Sequence, residues 1–429
     1  MQCRSIHQWI TGLTFTLAIG FLTACSDGGT PYAQQDADGD GVKNSSDAFP
    51  TNASESSDAD SDGIGDNSDN CVNTANLDQT DTDGDGTGDA CDTEIPTTYA
   101  GFPSAYDPTA TDSISYTGQT ARHMLILGMV DTMTSVTEQG DTYDNYKTAM
   151  NVWIEGDDSL PVVWTPKGGE ALTDAATVGD ISTGKNLDGK IAGGNGEGGG
   201  ETSKLIGDEF FGWTEGMDST PLPIELVDYW VDKLATEATD GTDVSVTTVA
   251  GPATVSIDQA QTDAHGRNYR QLIQKFLLGA VTLSQTANDY LQTDFANTLG
   301  QEGTKKFGAG EHDWDEAFGY YGAARNNNDF TDNEAAGKSG RDGWKNGYND
   351  INGDGTIDVR SEYNLGISQN CAKRDRLDID DDGVGETNLS KEAFDAFVLG
   401  RHVISEATNS GSMSASQQAV VEAQAEIAG

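Results

Sequence analysis

Apolar side chains recur at helical spacing in four windows of this chain, all beyond Tyr99. Residues 117–136 carry His123, Met124, Leu127, Val130 and Met133. Residues 223–236 place Ile224, Val227, Trp230, Val231 and Leu234 on one stripe. Residues 268–293 carry Leu272, Ile273, Phe276, Leu277, Ala280, Ala287 and Leu291, and residues 391–406 carry Phe394, Phe397, Val398 and Ile404. Each pattern predicts an amphipathic helix. A weaker helical stretch runs from Gln417 to Ile427, and strand-like alternation is confined to Leu160–Trp164 and Val244–Val249. The expected fold is mostly α: a helical-bundle domain over 99–429 with long loops. One such loop, Gly189–Gly200, lacks the GxxxxGK[ST] spacing of a phosphate loop and reads as flexible surface.

Residues 36–92 have neither periodicity. Fifteen Asp and one Glu stand there against a single Lys. Oxygen-bearing side chains fall at offsets 0, 2, 4, 8 and 11 three times: Asp36, Asp38, Asp40, Asn44, Asp47; then Asp58, Asp60, Asp62, Asp66, Asp69; then Asp81, Asp83, Asp85, Asp89, Asp92. Gly41, Gly63 and Gly86 hold offset 5. Calcium takes six to eight hard oxygen ligands, and a loop supplies them at these positions when a glycine allows the sharp turn. The segment is expected to bind several Ca²⁺ ions. No amphipathic helix flanks the loops, so the metal itself must organise them.

The stretches DADGDGVKNSSDAFP, DADSDGIGDNSDNC and DTDGDGTGDACD resemble thrombospondin type 3 repeats. The resemblance implies chain wrapped around calcium with almost no hydrophobic core, an irregular stalk ahead of the helical domain. It also implies a disulfide between Cys71 and Cys91.

The first residues address the chain. Arg4 precedes the apolar run Trp9–Ala24, which ends in Leu22-Thr23-Ala24-Cys25, a signal peptide (1–24) with a lipobox. Cys25 is the expected lipid attachment point of a tether over 25–35, and Ser26 beside it favours the outer membrane, on its periplasmic or surface face. The expected location is the cell envelope, with the membrane contacted through the lipid anchor. Cys371 is left as an odd thiol. A net charge of −47 excludes nucleic acid and anionic lipid as electrostatic partners and makes divalent cations the natural counter-charge.

Two more acidic loops lie inside the helical domain. Asp350, Asn352, Asp354 and Asp358 match the calcium spacing with Gly355 in register, although Ser361 stands at position 12 and Glu362 one place late. Asp378, Asp380, Asp382 and Glu386 match a second, with Leu389 at position 12. Both are candidate calcium sites, with loop-satisfying Asx-turns the alternative.

One histidine stands apart. In the helix start Gly310–Tyr320, His312 shares a face with Asp315 and Glu316, a candidate second metal site for iron or zinc; a packed His312–Glu316 pair on a core-facing helix is the alternative. Together with Tyr269-Arg-Gln-Leu-Ile-Gln-Lys-Phe, Asn370-Cys-Ala-Lys-Arg-Asp375 and Ala393-Phe-Asp-Ala-Phe397, this stretch gives residues 100–429 a resemblance to imelysin-like envelope lipoproteins of unknown function. That family is helical and iron-regulated, carries a peptidase label, and has a GxHxxE motif proposed to bind metal. Gly310 and His312 match the motif, whereas Asp315 occupies the Glu position and Glu316 follows one residue late. The resemblance also implies a domain running somewhat beyond Gly429.

No HExxH or GxSxG is present, so no catalytic residue is nominated and a binding role is favoured over an enzymatic one. The expected function is a calcium-binding outer-membrane lipoprotein whose stalk presents a helical domain to an envelope protein or small ligand. The alternatives are a metal-dependent protein or hydrolase centred on His312, and a calcium-dependent adhesion protein.

Overall fold

The computed structural model describes residues 32–92, 95–136, 141–162, 175–192, 223–240, 244–248, 251–255, 261–263, 265–377 and 387–429. Cys25 and its leader, the loop Asp378–Glu386 and residues 193–200 therefore lie outside the described residues. The chain divides into two compact units, Met1–Gln79 and Thr80–Gly429. The division falls inside the segment grouped by sequence as one set of three repeats, and the third aspartate loop belongs to the second unit.

In the first unit the described buried residues are Asn44, Asp47, Glu55, Gly65, Cys71 and Asn76. A folded segment whose interior is carboxylates and amides gains almost nothing from apolar burial. Its order comes instead from side chains that bond backbone. Glu55 accepts from the Asn67 N–H at 3.0 Å and bonds the Ser68 hydroxyl. Asn76 N–H donates to Asp62 Oδ2 at 2.7 Å. Cys71 and Cys91 are disulfide-bonded.

The second unit is mostly α, as the apolar periodicity predicts. Its helices are α1 (Thr117–Ser135), α2 (Tyr143–Glu155), α3 (Val178–Ile181), α4 (Pro223–Asp240), α5 (Tyr269–Leu277), α6 (Ser284–Asn288), α7 (Ala309–Tyr321), α8 (Asp332–Ala335), α9 (Gly366–Asp375), α10 (Leu389–Ser410) and α11 (Ala415–Ala428). A two-stranded antiparallel ribbon, β1 (Val244–Thr248) and β2 (Gly251–Val255), follows α4. The alternation at Val244 predicts β1. Pro252 hides β2 in the sequence, because a proline is tolerated in a strand only at an unpaired edge or strand start.

The expected helix over 268–293 is interrupted. A π-helical turn, Leu278–Leu283, separates α5 from α6, and the chain breaks at Asp289 (φ −123°, ψ −81°). The hydroxyls of Thr282, Ser284 and Thr286 each donate to the carbonyl four residues back, competing with the regular ladder. Thr142, Asn268 and Ser414 cap α2, α5 and α11, each side chain accepting a backbone N–H of the first turn.

Helix α7 sits between two apolar clusters. Tyr320 belongs to one, with Met124, Met129, Ile273 and Val281. Trp314, Phe318 and Tyr321 belong to the other, with Tyr99, Phe394 and Phe397. Buried on both sides, α7 must place its charges against partners. Arg401 of α10 supplies one: its Nε donates to Asp315 Oδ1 at 2.8 Å and its Nη1 to Glu311 Oε1 at 2.7 Å, with all three side chains almost wholly buried. Tyr99 and Ser113 complete the network. Burial opposes the Arg401 charge, but Asp315 and Glu311 more than offset it, so its pKa is raised.

Replacing Arg401 with Met leaves two buried carboxylates uncompensated and should cost about 3–5 kcal/mol in denaturant unfolding of the calcium-loaded protein. A second test uses Glu334, buried at the start of α8 and held by Arg341 down to about 2. A depressed folded-state pKa means stability present above the ordinary glutamate value and lost as pH falls toward 2. Glu334→Gln should therefore remove part of the acid-side loss of stability seen in wild-type unfolding between pH 4.5 and 2.

Candidate metal centres

The three aspartate loops repeat one hydrogen-bond pattern. The offset-0 carboxylate accepts from two backbone N–H groups: Gly39 and Gly41 donate to Asp36 at 2.7 and 3.1 Å, Ser61 and Gly63 to Asp58 at 2.7 and 3.2 Å, Gly84 and Gly86 to Asp81 at 2.8 and 3.1 Å. Offset 2 accepts from offset 4, and offset 4 from offset 6. Offset 8 closes the loop, with Ala37, Ala59 and Thr82 donating to Asn44, Asp66 and Asp89 at 2.7–3.0 Å. Asp47 and Asp69 at offset 11 accept from the N–H two residues on.

The offset-0 carboxylate accepts on both oxygens, whereas at offset 2 the bonds use only Oδ1. Asp38 Oδ2, Asp60 Oδ2 and Asp83 Oδ2, all at offset 2, are buried without a hydrogen-bond partner, as is Asp47 Oδ2. The offset 0, 2 and 4 carboxylates converge as possible cation ligands in each loop. Burial, then repulsion from Asp62, Asp69 and Asp58, raises the Asp60 pKa. Inward, unpartnered oxygens around a common point fit a hard divalent cation, which supplies the missing charge and takes several oxygens at once.

The loop at 350–358 carries the same pattern. Gly353 and Gly355 donate to Asp350 at 2.7 and 2.8 Å, Asp354 to Asn352 at 2.9 Å and Thr356 to Asp354 at 2.8 Å. Ile357 is buried, anchoring the loop. Glu362, one place late by spacing, closes the loop all the same, accepting from Ile351 at 3.0 Å and Asp358 at 2.8 Å. An isolated bridge between Tyr348 and Tyr363 brings it back. Asp358 is already paired with Arg360 at 2.8 Å, which weakens its offer as a ligand.

His312, Asp315 and Glu316 are not gathered into one ligand set. Asp315 points into the core onto Arg401 and Tyr99 because α7 is buried on that face. His312 Nδ1 instead bonds Glu302 at 2.6 Å, its ring packs on Phe307, and Nε2 stands 3.8 Å from Glu316, whose Oε1 accepts from Gln119. His312 is thus a packed residue whose nearer carboxylate is Glu302, not the Glu316 of the packed-pair alternative.

A different histidine gathers carboxylates. Asp83 of the third loop, His402 and Glu406 of α10 each bring a ligand atom within 4.8 Å of the others. His402 Nε2 lies 3.3 Å from Asp83 Oδ2 and 3.4 Å from Glu406 Oε1. Burial followed by repulsion from Asp83 pushes Glu406 up to about 7, with His402 opposing. The third loop rests on the helical domain here: Ser414 Oγ donates to the Gly84 carbonyl at 3.2 Å. In the sequence this group shows only as a His-x-x-x-Glu pair, with a partner more than three hundred residues away.

Residues 24–57 and 56–79 match the thrombospondin type 3 repeat model. The chain carries thrombospondin type 3 repeats. Residues 214–336 match a domain of unknown function, DUF4856, so repeats precede a domain of unassigned role. The repeats imply calcium binding. The third aspartate loop lies beyond the matched repeats, in agreement with its place in the second unit. No curated protein and no solved structure matches the chain.

Offset 3 offers a test of the loop geometry. It has positive φ in all four loops, with Gly39 at 87°, Ser61 at 67°, Gly84 at 76° and Gly353 at 72°. Only glycine takes this conformation freely, and a side chain there costs about 1–2 kcal/mol. Ser61→Gly should tighten calcium binding by the second loop, whereas Gly63→Ala, at φ 100°, should weaken it. Calcium titration calorimetry of the two variants reads both.

Proposed function

We propose that this protein is a calcium-binding outer-membrane lipoprotein, in which calcium-filled repeats form a stalk presenting the helical domain to an envelope protein or small ligand. The observation carrying the calcium part is the pair of buried, unpartnered offset-2 oxygens at Asp38 and Asp60. Their recurrence in register points to a function of each loop, not an accident of one. The lipobox at Cys25 supports the anchor, and the excess of 71 acidic over 24 basic residues supports a divalent counter-ion environment. Among the described residues no helix is long and apolar enough to cross a membrane.

The offset 0, 2, 4 and 11 carboxylates would hold calcium, which takes hard oxygen ligands of this kind. The protein's own contribution is the preformed backbone: each carboxylate is already aimed by the N–H groups it accepts. The reading centred on His312 loses support because Asp315 is committed to Arg401.

Calorimetric titration of the calcium-stripped mature chain should find at least three calcium ions bound, and chelation should open residues 36–79 to protease. Fewer than two ions, or unchanged cleavage, refutes the calcium part. Cys25→Ser should shift the protein from the membrane to the soluble envelope fraction. Retention in the membrane fraction contradicts the anchor.

A further inference from the structure

We propose that Asp83, His402 and Glu406 bind a divalent first-row transition ion, zinc being the best fit, at the junction of the third aspartate loop and α10. The group has what a bare acidic cluster lacks. Asp83 is 2 % exposed and His402 7 %, yet Asp83 Oδ2, His402 Nε2 and Glu406 Oε2 are all buried without a hydrogen-bond partner. Nε2 approaches Asp83 Oδ2 at 3.3 Å and Glu406 Oε1 at 3.4 Å, so a buried imidazole nitrogen stands between two carboxylates, an arrangement that is costly unless something is shared between them.

An imidazolium wedged between the carboxylates is the competing explanation. Nε2 carries one proton at most, so it serves one carboxylate, and the second contact then needs a proton held on the carboxyl of Glu406. A metal serves all three. The N···O separations of 3.3 and 3.4 Å are those of ligands on one tetrahedral ion, since metal–ligand bonds near 2.05 Å place neighbouring ligands about 3.3–3.5 Å apart.

The donor set selects the metal. Calcium takes oxygen, whereas imidazole with carboxylates suits zinc and its neighbours in the first transition row. His402 and Glu406, four apart on α10, share a helix face, so the half-site is built on a rigid element. Glu406 also lines an open cleft with Asp85, Asn409, Ser414 and Gln417, which gives an ion an entrance and leaves room for water in the fourth position. Asp83 is common to this site and to the third calcium loop: its Oδ1 accepts from the Asp85 N–H at 3.1 Å while Oδ2 faces His402. The second ion would pin that loop to the helical domain.

The inference stands apart from the calcium reading of residues 36–69, and one experiment separates them. The full mature chain, stripped of metal and saturated with calcium, is titrated with Zn²⁺ and, in parallel, with Co²⁺ as an optical probe. One equivalent of zinc should bind, and Co²⁺ should give visible d–d absorption that zinc abolishes. His402→Ala and Glu406→Ala should each weaken zinc binding by about 100-fold or more, with the calcium count of the first two loops unchanged. If His402→Ala does not fold, Glu406→Ala decides, since Glu406 lies at the cleft edge. No zinc bound in the presence of calcium, or zinc bound with undiminished affinity by the variants, overturns the proposal. So does loss of one calcium from Glu406→Ala without zinc binding, which would make Glu406 a calcium ligand instead.

Discussion

Uncompensated negative charge is the constraint on which the rest depends. Each aspartate loop spends its backbone N–H groups orienting carboxylates inward, and the described interior of residues 32–79 is polar apart from Cys71. Apolar burial cannot hold such a segment, and carboxylates facing one another in a shielded loop repel. A divalent cation reverses the sign of that interaction. The same contacts that would expel the loops from a folded state then become the ones that close them.

Inside the helical domain the same problem is solved without metal. Glu311 and Asp315 are as buried as any loop aspartate, but Arg401 bonds both, and neutral donors such as Tyr99, the Ser115 N–H and Ser405 add further bonds to them. Among the described residues, buried acids are thus of two kinds: those whose oxygens are met by a guanidinium or by N–H and O–H donors, as at Asp375 and Glu362, and those left with an unpartnered oxygen. The second kind occurs in the aspartate loops and where Asp83 meets His402 and Glu406. That contrast, not the abundance of acid, separates candidate metal sites from structural ion pairs.

Much of this was legible in the sequence. The spacing picks out the four described loops that share one hydrogen-bond pattern because the partners are local: offsets within a dozen residues determine which groups meet. The helices α1, α4 and α10 follow from apolar periodicity for a similar reason, and α7 from the helix start at Gly310–Tyr320. What escaped the sequence was non-local. Spacing placed Asp315 beside His312, yet burial of α7 between two clusters turned Asp315 to Arg401, eighty-six residues on. Glu362 looked misplaced by one residue until the bridge between Tyr348 and Tyr363 brought it over the loop. Asp83 and His402 meet only because the loop packs on α10 and the start of α11.

Hydrogen exchange at the glycine amides tests the central claim most directly, because Gly41, Gly63 and Gly86 all donate to offset-0 aspartates. With calcium these amides should be protected, and chelation should abolish that protection while the amides of α7 and α10 stay slow. Equal protection with and without calcium would show that the loops are ordered without the ion and would contradict the account.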